Sequence, residues 1–165
     1  YPRGKKVKVC AFVGPELFEE STKVCDMTIV IDDFPKYENK KLAKKLAGSY
    51  NFFIAQANIM AKVASTFGRI LGPRNKMPNP KAGCVVPPKF QLKPLYDKLQ
   101  KTVRVSARTA LMAQCVVGNE EMKDDEVVDN IMNIYNQVVH TLPGHENNIK
   151  AMYIKLTMGK PIRVA

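Results

Sequence analysis

The sequence predicts an α/β fold: a parallel sheet covered by helices, with a smaller α+β unit after it. Three observations carry this. Between Val7 and Gln100, apolar runs alternate with amphipathic stretches, the signature of strand–helix–strand crossovers. The apolar runs are short and rich in Val, Ile and Phe, which suits buried strands better than helices. After Lys101 the order changes to two strand-like runs, one long helical stretch and a final strand-like run.

Residues 7–13 alternate briefly and then become wholly apolar, a buried strand closed by Gly14-Pro15. Residues 16–24 form a short helix with acids in its first turn. Residues 27–31 are a β-branched second strand. Residues 39–47 place Leu42 and Leu46 four apart among lysines, an amphipathic helix. Residues 52–55 are a third strand. Asn58 caps a helix that runs to Ile70, with Ile59, Val63, Phe67 and Ile70 on one face. Val85-Val86 is a fourth strand, and residues 94–100 a helix with Pro94 in its first turn. Residues 102–107 and 111–117 read as strands joined by a turn near Thr109. Residues 124–139 carry Val127, Val128, Ile131, Ile134, Tyr135 and Val138 at helical spacing, with acids at the N-terminal end. Leu142-Pro143-Gly144 breaks that helix, residues 151–158 are the last strand, and Gly159-Lys160-Pro161 ends it. A ββαβ unit wants a further helix on the open face of its sheet; none follows, so this half is expected to be incomplete.

Charge narrows the function. The 165 residues carry a net charge of +11. From residue 39 through residue 96 there is no Asp or Glu, while Lys40, Lys41, Lys44, Lys45, Lys62, Arg69, Arg74, Lys76, Lys81, Lys89 and Lys93 fall in that stretch. A one-signed field of this length repels itself, and a polyanionic partner relieves it. Nucleic acid fits first and an acidic membrane surface second. No apolar run approaches the roughly 20 residues of a spanning helix, and the opening residues show no secretory pattern, so no membrane partner is expected. Hydrophobic content of 45% is enough for a core. Cys10, Cys25, Cys84 and Cys115 make no metal-binding spacing and read as free thiols in a reducing compartment.

The most informative stretch is residues 68–83. Pro73, Pro78 and Pro80 fix their own φ and restrain their predecessors, and Gly72 and Gly83 permit unusual backbone. Arg69, Arg74, Lys76 and Lys81 lie in it with no acid. The product is a stiff loop presenting cations. Two readings stay open: a surface for a polyanion, or a purely structural loop. Lys40, Lys41, Lys44 and Lys45 read as a solvated helix face adding long-range attraction.

Catalysis finds no support. Gly14-Pro15 after the first strand is neither a dinucleotide fingerprint nor a P-loop. Asp32-Asp33 is an ordinary solvated pair, His140 and His145 flank a turn far from any nucleophile, and Met27, Met60 and Met112 suit a core. No cofactor is expected. Two alternatives remain beside a specific nucleic-acid-binding protein: a non-specific nucleic-acid chaperone, and a nucleotide-dependent enzyme on the parallel sheet.

The run Leu71-Gly72-Pro73-Arg74-Asn75-Lys76-Met77-Pro78-Asn79-Pro80-Lys81-Ala82-Gly83 resembles the signature of the ribosomal protein L-one family, the large-subunit stalk protein. The ending Tyr153-Ile154-Lys155-Leu156-Thr157-Met158-Gly159-Lys160-Pro161 resembles that family's C-terminal strand and Thr-Met-Gly triplet. The resemblance implies two domains: a Rossmann-like parallel-sheet domain at residues 5–100, inserted into a split RRM-like α+β domain made of residues 1–4 and 101–165. Family members carry a helix and strand before the point where Tyr1 begins, so an N-terminal segment is expected to lie outside this chain.

The resemblance also implies function. The expected partner is the stalk region of large-subunit rRNA, beside the exit site for deacylated tRNA. Some members bind their own mRNA, and the protein is expected to be a monomer outside the ribosome. The Tyr-Ile-Lys and Gly-Lys-Pro ending leans towards an archaeal or eukaryotic cytosolic member, hence cytoplasmic ribosomes, with nucleolar assembly if eukaryotic. Thr157, Met158 and Gly159 match the RNA-contacting triplet, with Lys155 beside them. A 2′-hydroxyl can exchange hydrogen bonds with Thr157, and Gly159 admits a sugar-phosphate closely. Ser106 and Arg108 fall in the strand-turn region that faces RNA, although the family often has a basic residue at the first position and an acidic one at the second.

Overall fold

The structure, a computed structural model, describes every residue except Arg3, Lys5, Lys89, Arg108, Thr109 and Ala165. Strand β1 (Val9–Val13) lies between β2 (Met27–Val30) and β3 (Phe52–Gln56), and β4 (Val85–Val86) extends the sheet beyond β3. The order β2-β1-β3-β4 is parallel throughout. Parallel neighbours need crossovers, and helices supply them. These are α1 (Phe18–Val24), α2 (Lys40–Ser49) and α3 (Met60–Leu71), with α4 (Leu92–Lys101) following β4.

Alternation along β1 divides the core. Cys10 and Phe12 face α2 and α3; Val9, Ala11 and Val13 face the side covered by α4. Every residue of β1 is buried, which is why this run lacks polar positions. Phe12 organises the first face. Its ring stacks on Phe53 at 5.6 Å, tilts against Phe67 at 4.7 Å and meets Phe34 edge-on at 5.9 Å. Burial of each such ring stabilises by about 2–3 kcal/mol. On the second face Leu92, Leu95 and Leu99 of α4 recur at helical spacing against Val7, Val9 and Ile54.

Local chemistry sets the joints. Asn39 caps α2, its side chain accepting the Lys41 N–H at 3.1 Å. Glu20 of α1 does the same for α4 from a distance, accepting the Leu92 N–H at 2.8 Å. Gln100 ties the end of α4 to the segment before β1 by a reciprocal pair with the Val7 backbone, at 2.9 and 2.8 Å. Residues Ile31–Glu38 form a 3-10 stretch around buried Phe34, unforeseen in the sequence. Asn58 lies inside a 3-10 turn (Ala57–Ile59) rather than capping α3, which begins at Met60.

Beyond Lys101 the structure departs from expectation. Helix α5 (Asp124–Thr141) forms, but residues 102–107 and 111–117 form no strands. The last strand shrinks to β5 (Tyr153–Ile154), which pairs antiparallel with β6 (Ile162–Arg163). The Gly159-Lys160-Pro161 segment is therefore a hairpin loop, not an ending. The physical reason lies in burial. Among the described residues, every buried apolar side chain falls between Val7 and Leu99. Leu111 is 108% exposed and Met112 64% exposed, so neither has a face to pack on. Alternating apolar residues become strands only where a neighbour and a covering layer exist. Met112 accordingly does not serve a core.

The chain start meets this second part. The Tyr1 amino group donates to Asn130 Oδ1 at 3.0 Å, and Asn130 Nδ2 donates to the Val117 carbonyl at 3.0 Å. Gly4, at φ +74°, lies so close to Asn119 that a Cβ would stand 2.5 Å from the asparagine's own.

Candidate nucleic-acid interface

Helix α3 does not simply stop at Leu71. Gly72 keeps helical dihedrals, and Asn75 turns left-handed at φ +55°. The Lys76 N–H donates to the Leu71 carbonyl at 3.0 Å and the Asn75 N–H to the Gly72 carbonyl at 2.9 Å. This pair of bonds is the Schellman arrangement, with Asn75 in the place usually held by glycine. Gly72 is required for another reason: a Cβ there would stand 2.7 Å from the Gly68 carbonyl oxygen. Downstream, Asn79 accepts the Lys81 N–H at 2.9 Å, and Gly83 leaves the 3-10 turn Pro80–Ala82 at φ +74°. The basic loop is thus built from backbone hydrogen bonds and fixed φ angles.

This geometry sorts the cations. Lys76 turns inward: its ammonium donates to the carbonyls of Ala47 and Tyr50, each at 2.7 Å. Burial, with the Arg74 guanidinium nearby, pulls its pKa below the ordinary lysine value. Arg74 lies across α2, donating to the Lys44 carbonyl at 3.4 Å. Arg69 and Lys81 point to solvent. Sequence reasoning missed one partner of the loop, Arg104, which donates to the Asn75 carbonyl. Nothing in its neighbourhood in sequence marks it.

The Thr-Met-Gly triplet occupies the tip of the β5–β6 hairpin. The Gly159 N–H donates to the Leu156 carbonyl at 3.1 Å, closing a turn with Thr157 and Met158 at its centre. Met158 is 96% exposed, and Thr157 and Lys155 are exposed beside it. Ser106 is exposed in the irregular segment after α4, and Arg108 lies outside the described residues. The hairpin group and the loop group therefore sit on separate elements.

The parallel sheet has its topological switch between β1 and β3, where such folds open a ligand crevice. Here Gln56 fills that place. It is 3% exposed, and its Oε1 accepts the Gly14 N–H at 2.8 Å. Among the described residues no cluster of His, Cys, Asp or Glu could hold a metal, and no helix is long and apolar enough to cross a membrane. Lys36 and Asp33 form an ion pair at 2.6 Å.

Comparison with known proteins decides the family. A model of the Ribosomal protein L1p/L10e family matches residues 1–160. The chain belongs to that family. Among similar L1-family members, the large ribosomal subunit protein uL1 of Nanoarchaeum equitans is 40% identical over 166 residues, covering 98% of this chain and 78% of that protein. The uL1 protein of Methanothermococcus thermolithotrophicus is 38% identical, covering 98% and 74%. That of Thermoplasma acidophilum is 36% identical, covering 98% and 73%. The L1p/L10e family is one of ribosomal proteins, not enzymes. Its parallel α/β architecture is the one found here.

Proposed function

We propose that this protein is a structural constituent of the large ribosomal subunit that binds rRNA at the stalk, using the tip of the β5–β6 hairpin. Family membership supports the ribosomal part of the reading. The single observation that supports the site is the near-complete exposure of Met158 at a hydrogen-bonded turn, where a large apolar side chain has no structural work to do. Thr157 supplies a hydroxyl for a ribose 2′-hydroxyl, Gly159 allows a close backbone approach, and Lys155 and the exposed Ser106 add phosphate contacts. Arg108 joins this surface in the proposal. Arg69 and Lys81 extend the field towards a second RNA, the exit-site tRNA, whose release the protein assists. Binding of its own mRNA through the same hairpin follows if that message carries a similar fold. The protein is a monomer outside the ribosome and works in the cytoplasm. Residues 5–100 form one domain, and residues 1–4 and 101–165 the other.

The test is binding of the chain to a stalk-region rRNA fragment and to an equal-length duplex RNA, at two salt concentrations, with Thr157→Ala/Met158→Ala beside it. The reading expects a preference for the stalk fragment that survives high salt and drops about tenfold in the double variant. Equal, salt-sensitive binding to both RNAs would leave only the chaperone reading.

A further inference from the structure

We infer that the outer face of α2, completed by Arg74 from the proline-rich loop, is a separate clamp for the phosphate backbone of RNA. The inference rests on the RNA-binding reading above and adds a second contact surface to it.

Lys41, Lys44, Lys45 and Gly48 share one face of α2, because residues three, four and seven apart coincide on a helix. All four are exposed. The opposite face, Ala43, Leu46 and Ala47, is buried in the first core. Arg74 comes from thirty residues away in sequence and joins that outer face. Its guanidinium donates to the Lys44 carbonyl and lies over Gly48, where an added Cβ would be 3.9 Å from Nη1. The loop that looked like a second basic element is thus part of the same surface as the lysine helix.

Three features favour a phosphate chain as the occupant. The first is that the lysines are unspent: among the described residues none of Lys41, Lys44 and Lys45 makes an ion pair. The nearest acid upstream with a partner, Asp33, is already held by Lys36 at 2.6 Å. Secondly, the negative pole of α2, which would weaken a cationic face, is neutralised by the Lys76 ammonium on the Ala47 and Tyr50 carbonyls. Lastly, the shape argues against a bilayer. An interfacial membrane helix inserts an apolar face, and in α2 Ala43, Leu46 and Ala47 are buried inside the protein, leaving only Leu42 exposed among the lysines. At about 1.5 Å per residue the face from Lys41 to Gly48, over which Arg74 lies, offers a row of charge about 10 Å long. Such a row grips a regular polyanion without reading bases, whereas an acidic peptide offers carboxylates at no fixed spacing.

The chain is compared with Lys41→Gln/Lys44→Gln/Lys45→Gln/Arg74→Gln, measuring affinity for the stalk-region fragment and for equal-length duplex RNA across a salt series. Lys41→Gln/Lys44→Gln/Lys45→Gln alone is the second variant, should loss of Arg74 disturb the loop. The expected result is a flatter dependence of log affinity on log salt, by about three in slope, equally for both RNAs, with the preference between them unchanged. An unchanged slope would overturn the clamp, and so would polyglutamate of matched charge competing as well as duplex RNA. Failure of the hairpin site reads differently: it abolishes the preference between the RNAs and leaves the slope alone.

Discussion

Lys76 Nζ stands 2.7 Å from the carbonyl oxygen of Ala47, so the proline-rich loop terminates α2 from outside the helix. A second bond of the same length goes to Tyr50. The last turn of a helix leaves carbonyls without partners, and a lysine near it meets both the hydrogen-bonding need and the dipole.

Replacing Lys76 by Met keeps the stem and removes the donors. The expected loss is about 1–3 kcal/mol, read as a lower denaturant midpoint with the slope unchanged. Because burial lowers this lysine's pKa, the unfolded chain binds more protons between that lowered value and about 10.4. The native chain should therefore gain on Lys76→Met as pH rises through that window. A variant of normal stability that loses RNA affinity would instead make Lys76 a contact residue.

Gly68 inside α3 and Gly72 just past its end should respond in opposite directions. At Gly72 a Cβ collides with the Gly68 carbonyl, and Gly72→Ala should cost about 1–3 kcal/mol. At Gly68 nothing lies within 4 Å of an added Cβ, and Gly68→Ala should stabilise by about 0.5–1 kcal/mol through helix propensity. Thermal midpoints of the pair decide it; equal signs would refute the tight approach of Gly72 to the Gly68 carbonyl.

Gln56→Leu leaves the buried Gly14 N–H without an acceptor. The expected cost is about 1–3 kcal/mol in chemical denaturation. Gln56→Glu should be no better than leucine at neutral pH: its carboxylate could accept that bond, but it would be buried facing Glu16, whose Oε2 lies 3.5 Å from Gln56 Nε2.

Thiol labelling of the native chain should modify Cys115 first, because it alone of the four is exposed. Burial pushes the Cys25 thiol up to about 11, with Asp26 and Glu20 adding to the effect, so it stays protonated and inert at neutral pH. The folded chain then holds a proton that the unfolded chain releases above about 8.5. That contribution to stability is complete below about pH 8.5 and fades as pH climbs towards 11. Cys25→Ala should flatten the alkaline fall; rapid labelling of Cys25 in the native state would contradict its burial.

The parallel sheet was legible because buried strands have a compositional mark. Val9–Val13 and Phe52–Gln56 contain almost nothing that could face water, and helical spacing of Val63 and Phe67 announces the layer above them. Residues 102–107 and 111–117 misled because their alternation is real but uncovered. The hairpin return through Ile162 was hidden behind a Gly-Lys-Pro segment that reads as a stop.

By itself, then, the sequence determined the sheet, its covering helices, the excess of positive charge and the family motifs, all of which are local in the chain. Only the tertiary structure decided what each cation does. Arg74 and Lys76 are two residues apart, yet one lies on the surface of α2 and the other caps its end. The left-handed Asn75 between them reverses the chain, and side-chain direction after such a turn depends on which helix has packed alongside. That packing is a long-range choice made by the hydrophobic core, and no local pattern records it.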